Sequence, residues 1–272
     1  MSAVTSASSG PRTHPRSFLA GAVLLVLLLA FAFVGPMVIA TDPAQQDLGA
    51  SLAPVGGTYL LGTDHYGRSL LARLAHGARL SFGMAFLAMI TAAVPGILLG
   101  LLAAWQGGWT DRLLEGAANV VLSLPGLMLV LLLLAFSPGN FVPLYLGLSL
   151  TLWVEFYRMT RASASVILRH PHVEAARMLG FSPAYILSRY VVPSIAPNAL
   201  TLAAFAVASA IIAVSTLSAI SVGLQPPTPE LGSMIIELLP YFGEAPLHVL
   251  LPAILIFLLV LSLQLLANRV AT

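Results

Sequence analysis

The sequence predicts an all-α polytopic membrane protein with six transmembrane helices, and three observations lead there. Hydrophobic residues make up 58% of the 272-residue chain and charged residues 8%, where a soluble domain carries about 25% charged residues. Mean hydropathy is +0.95. Uncharged stretches of about 20 residues or more, the length that crosses a bilayer, recur between short segments that hold the charges.

In chain order, residues 1–16 are rich in Ser, Thr, Pro and Arg and read as a flexible tail. Residues 17–41 carry no charge. The apolar core of a cleaved signal peptide spans only about 7–15 residues, so this longer run reads as the first membrane helix. A mixed polar segment follows, and 17–79 form one unit of helix plus outer segment. The second span, 80–105, contains Gly83, Gly96 and Gly100, small residues that let membrane helices approach closely. Gly107, Gly108, Asp111, Arg112 and Glu115 read as a short polar turn. The uncharged run 116–154 is too long for one crossing, and Ser137-Pro138-Gly139-Asn140 divides it into spans near 117–136 and 141–159. Pro125 is expected to kink the first of these. The fifth span, 191–224, is rich in Ala and Ser, and the sixth is 247–267. Between them Glu237 and Glu244 flank Pro240 and Tyr241 in a polar loop. Residues 80–272 thus form a core domain of five helices, interrupted by a polar loop at 162–190.

The rest of the chain is organised around the stretch 171–193 inside and just beyond that loop. It reads as two short helices. Pro171 suits a first helical position, and Gly180 the left-handed position just past a C-terminus. Ser182 then caps a second helix with Pro183 at its first position. Val173, Ala176 and Leu179 fall on one stripe, while His172, Glu174 and Arg177 fall away from it. A helix–turn–helix held at a membrane surface makes a docking knob.

Glu174-Ala175-Ala176, with Gly180 four residues beyond and Pro193 thirteen beyond that, resembles the EAA signature of ABC-importer permeases. Leu61-Gly62-Thr63-Asp64-His65-Tyr66-Gly67-Arg68 resembles the LGTDxxGRD stretch of the dipeptide/oligopeptide/nickel branch, in the second permease of each pair, with Ser69 in place of aspartate. The segment from Gln225 to Gly232 resembles that branch's GLGxxPPxPxWG stretch, with Leu231 for the usual aromatic. The resemblance implies a type I ABC-importer permease fold and a coupling helix at 171–179 that sits in a groove of a cytoplasmic ATPase. Glu174 would make the polar contact there, with Arg177 beside it. Ala175 and Ala176 would keep the helix slim, Gly180 would supply the turn and Pro193 would close the motif. It also implies a second homologous permease as heterodimer partner, two ATPase subunits, an extracytoplasmic solute-binding protein and a bacterial inner-membrane setting in contact with lipid. The cargo would be peptides, nickel or metal chelates. On physical grounds Gly62, Thr63, Asp64, Gly67 and Arg68 form a turn before an interfacial helix. Asp64 and Arg68, read as a surface pair, would contribute about 0–1 kcal/mol.

Charge bias agrees with that orientation. With the N-terminus inside, the inner segments hold Arg12, Arg16, Arg112, Arg158, Arg161, Arg169, Arg177, Arg189 and Arg269, and the outer ones only Arg68, Arg73 and Arg79. Both termini then lie in the cytoplasm. Glu155, Arg158 and Arg161 share a helix face at the end of the fourth span. They read either as helix-end charges reaching for water or as a buried gate network.

Other functions are excluded by what is missing. There is no cysteine, no HExxH and no GxSxG, so no catalytic residues or metal site are expected; His170 and His172 read as loop filler. All twelve basic residues are arginine, and a P-loop needs lysine, so ATP and Mg²⁺ would bind partner subunits and this chain would hold no cofactor. A net charge of +2 without a basic run gives no nucleic-acid partner. The acids all fall near span ends or in loops, so substrate contacts within the spans would be apolar, hydroxyl or backbone. A stand-alone secondary carrier is the alternative, though it leaves the EAA spacing unexplained. A purely structural membrane subunit would tolerate loss of Glu174.

Overall fold

The computed structural model describes residues 15–39, 41–57 and 59–270, with side chains from 17 to 267. Most of the expected N-terminal tail and the charge-bias arginines Arg12, Arg16 and Arg269 lie outside the described residues or side chains. The regular elements of the described residues are all helices. Among the described residues the only β pairing is two isolated bridges, Gly56 with Tyr59 and Thr63 with Ser69.

Helix α1 (Pro15–Phe33) continues into the short α2 (Gly35–Val38). The long α3 (Leu70–Gln106) spans 37 residues, about 55 Å at about 1.5 Å per residue. Ser69 caps its start, its hydroxyl accepting from the Ala72 N–H, and Gly107 ends it at φ +61°. The segment after it is a helix rather than the expected turn: α4 (Gly108–Val121) carries Asp111, Arg112 and Glu115 along its length. A bend of 70° separates α4 from α5 (Gly126–Leu134), so Pro125 marks a break in the third span rather than a kink. Asn140 caps α6 (Phe141–Ile167), which extends eight residues past the expected end of the fourth span at 159. Next come α7 (Pro171–Met178) and α8 (Pro183–Ile186). A π-helical turn at Leu187–Val191 joins α8 to α9 (Val192–Ala219) without a break, and α10 (Leu231–Leu238) and α11 (Pro246–Val270) complete the chain. Among the described residues, four helical segments are long and apolar enough to cross a membrane, and α4 with α5 makes a fifth if counted as one span. Helix α6 has the length for a sixth and carries Glu155, Arg158 and Arg161.

The core forms where α3 crosses α6, the most extensive contact in the molecule. Its closeness depends on two glycines. A Cβ at Gly96 would stand 2.6 Å from the Trp153 carbonyl oxygen, and one at Gly100 2.7 Å from that of Tyr157. Small residues one helical turn apart thus let the two backbones touch. Gly83, expected to act likewise, faces open space. Helix α9 packs its Ala206, Ala210 and Val214 into the same core, and α1 lies along α11, where Gly21 admits Leu265.

Candidate functional site

The helix–turn–helix forms as its residues dictate. Pro171 opens α7, and the chain leaves it through Gly180 at φ +79°. The Phe181 N–H donates to the Ala176 carbonyl (3.2 Å) and the Gly180 N–H to that of Arg177 (3.0 Å), the paired bonds of a Schellman ending. The Ser182 hydroxyl accepts from the Tyr185 N–H at 3.3 Å. Val173 and Ala176 are buried in a satellite core with Ala164, Leu168, Ile186, Val191 and Ile195. One expectation changes here: Val173 and Ala176 keep to the buried stripe, but Leu179 leaves it to stand 77% exposed beside Met178 at 85%. Glu174 and Ala175 are exposed. Arg177 lays its guanidinium 4.6 Å from the centre of the Trp105 ring, tying α7 to the last turn of α3. His170 and His172 stack on each other, and His172 also meets Tyr190. Pro193 stands at the second position of α9, one residue past the π turn. A proline cannot donate to the carbonyl four residues back and its ring collides with it; widening the preceding turn relieves that conflict without ending the helix. The expected loop 162–190 is accordingly shorter, with α6 reaching Ile167 and the fifth helical run starting at Pro183.

The GTDxxGR stretch lies at the other end of α3. The surface pair expected there is buried. Arg68 Nε donates to Asp64 at 2.5 Å, both side chains being 2% exposed. Arg68 also reaches Glu237 on α10 at 2.7 Å, and Arg73 reaches Glu237 at 3.0 Å and Asp64 at 3.5 Å. Two arginines and two carboxylates alternate and cancel, so each desolvated charge has partners. Asp64 Oδ1 also accepts from the N–H groups of Tyr66 and Arg68. Thr63 bonds to the Ala50 carbonyl and accepts from the Ala53 N–H at 2.8 Å. Gly67 sits at φ +73° with its Cα against Asp47, where a Cβ would meet the Asp47 carbonyl oxygen at 1.7 Å. Asp64, His65 and Glu237 present possible ligand atoms within 4.8 Å of one another. The chemistry of the set does not fit a cation, because two guanidiniums already occupy its carboxylates. Burial pushes the His65 imidazole below its ordinary value, against the pull of Asp64 and Glu237.

Arg73 and Glu237 were missed as site residues, and Glu237 was expected in a polar loop rather than on α10. A charge inside an otherwise apolar helix was the available signal for both. Glu230 was missed as well. It is fully buried, caps α10 through the Gly232 and Ser233 N–H groups, and accepts from the hydroxyls of Ser81 and Ser215.

The trio Glu155, Arg158 and Arg161 does not act as one network. Arg161 pairs with Asp111 and, at 3.0 Å, with Glu115. Arg158 donates to Asn119 at 2.7 Å and approaches Glu115 at 3.6 Å. Both arginines thus join α6 to α4. Glu155 has no ion-pair or hydrogen-bond partner among the described residues. It lies halfway along α6, exposed in the wall of a cavity of about 370 Å³ with Leu127, Val130, Thr151, Ser209 and Thr216.

Comparisons with known proteins agree with this architecture. Residues 96–272 match the family described as binding-protein-dependent transport system inner membrane component, and residues 14–54 the N-terminal TM domain of oligopeptide transport permease C. The di/tripeptide transport system permease protein DppC of Pseudomonas aeruginosa (strain UCBPP-PA14) is 31% identical over 94% of this chain and 86% of its own. The dipeptide transport system permease protein DppC of Haemophilus influenzae is 26% identical over 93% of this chain and 88% of its own. A chain from a crystal form of the MetNI methionine ABC transporter, described as inward facing, superposes with a TM-score of 0.57 at 19% identity, over 72% of this chain and 93% of that one. The last likeness concerns the fold. With helices, family match and relatives in accord, this chain belongs to the binding-protein-dependent transport system inner membrane components, the permeases of ABC importers, and has their type I fold.

Proposed function

We propose that this chain is one of two homologous permeases lining the translocation pore of an ATP-driven peptide importer, and that α7 is its coupling helix. The observation that carries this is the exposed knob: Glu174, Ala175, Met178 and Leu179 project from a short helix that a glycine turn joins to a continuous run into α9. Two ATPases, holding ATP and Mg²⁺, would dock on α7 in the cytoplasm of a bacterial cell, and a solute-binding protein would deliver cargo at the Asp64 end. Closure of the ATPases would push α7 and tilt α9, switching the pore between inward-open and outward-open states. Peptides are favoured over nickel or metal chelates as cargo because the relatives above are named for di- and tripeptides.

The test is a mild-detergent pull-down of the tagged chain from native membranes, with ATP hydrolysis assayed on the eluate. A second permease and a Walker-motif ATPase are expected to co-elute, and Glu174→Arg is expected to lose the ATPase. Elution of the chain alone, without hydrolysis, would replace this reading with a solitary carrier.

A further inference from the structure

Glu155 is the one acid set in the wall of the α5–α6–α9 cavity. From Phe141 to Glu155 the helix rises about 21 Å, and from Glu155 to Ile167 about 18 Å, so the carboxylate stands near the middle of α6. Its side chain is exposed on the open side of that cavity, and an ionisable group partway along an otherwise apolar helix marks a solute path more often than a packing role. The arginines of its own helix are committed elsewhere. Arg158, one turn away, donates to Asn119, and Arg161 is held by Asp111 and Glu115. Asp111 and Glu115 thus engage both arginines at α4, and among the described residues no cation pairs with Glu155. Around it stand the apolar side chains of Leu127 and Val130 and the hydroxyl residues Thr151, Ser209 and Thr216. The volume lies in the range of small-molecule sites, about 300–1,000 Å³.

We infer that Glu155 is a solute-recognition residue of the translocation path, which pairs in passing with a protonated amine on the cargo, such as the α-ammonium group of a peptide. A permanent arginine partner would abolish the site. An unpaired carboxylate gains a partner when an ammonium arrives and loses it when the ammonium leaves, so the same step that binds the solute also permits its release. This inference rests on the importer reading for its cargo, but the negative charge of the cavity can be measured without transport.

The chain has no cysteine, so Thr216→Cys places a single thiol in the cavity wall. Full-length chain in native membranes is treated with the cationic reagent MTSEA or the anionic MTSES, then purified and read by intact mass. With Glu155 present, the MTSEA-to-MTSES rate ratio, corrected for the reagents' rates on a free thiol, is expected to exceed unity by on the order of tenfold. Glu155→Gln should return it to about one, and Glu155→Asp should preserve most of it. Dialanine should slow MTSEA labelling more than N-acetyldialanine, which lacks the ammonium. An unchanged ratio in Glu155→Gln, a thiol unreactive to both reagents, or equal effects of the two peptides (nil included) would overturn the proposal. A chain that purifies without an ATPase yet keeps its charge-selective labelling would sink the importer reading alone; a co-purifying ATPase with a flat labelling ratio would sink only this one.

Discussion

At the Leu70 end of α3, three buried charges and a partly buried Glu237 interlock a surface loop, the first turn of α3 and α10, while at the Trp105 end α7 rests on a small satellite core and one arginine–tryptophan contact. The first end has little freedom. Removing any one partner strands another charge out of water, and Gly62 and Gly67 are pressed against backbone that cannot yield. The second end exposes its apolar residues and turns on a glycine with open space around it. A helix about 55 Å long that is fastened at one end and lightly seated at the other is suited to transmit a push applied at the loose end.

The sharpest way to break this contrast is at the fastened end. Glu237→Gln leaves Arg68 and Arg73 without their shared carboxylate and is expected to cost about 3–5 kcal/mol, read as a fall in the thermal midpoint of the purified protein in detergent. A change below 1 kcal/mol would mean that the cluster is hydrated and the two ends are alike. At the loose end the effects should be smaller in stability and larger in coupling. Gly180→Ala meets no neighbour, so its cost is the backbone term alone, about 1–2 kcal/mol for a left-handed non-glycine residue. Its signature should be reduced ATP hydrolysis in the assembled complex, with a fall in thermal midpoint smaller than that of Glu237→Gln. Arg177→Gln removes the contact over Trp105 and is expected to cost about 0.5–1 kcal/mol by the same melting measurement.

The smallest effect is a pH dependence at the fastened end. Because burial holds the His65 pKa below its unfolded value of about 6.5, the unfolded chain binds a proton as pH falls through that value while the folded one resists. Stability contributed by neutral His65 is therefore intact above that pH and declines below it. Melting curves at pH 7.5 and 5.5 should show a drop that His65→Phe reduces, since phenylalanine can keep the stacking on Tyr241 without titrating.

What the sequence disclosed follows the range of the forces involved. The caps of α7 and α8 were legible because proline, glycine and serine act within a few residues of where they stand. The α3–α6 approach was legible at Gly96 and Gly100 but not at Gly83, since spacing cannot tell which face meets a neighbour. The pairing of Arg68 with Glu237 joins residues 169 apart, and no local pattern announces it. Glu155 was grouped with Arg158 and Arg161 because spacing alone shows a shared helix face, whereas only the tertiary packing shows that α4 engages the two arginines and leaves Glu155 out.

The π turn at Leu187–Val191 bears on how a push is delivered. A π turn holds one residue more than the α geometry needs, and each residue of an α-helix advances the azimuth by about 100°. That single residue therefore sets the phase between the surface presented by α7 and α8 and the faces of α9 that meet α3, α6 and α11. Deleting one residue there would leave a continuous helix, yet it would swing the whole knob about the α9 axis by roughly a quarter of a circle, aiming Glu174 at a different quadrant.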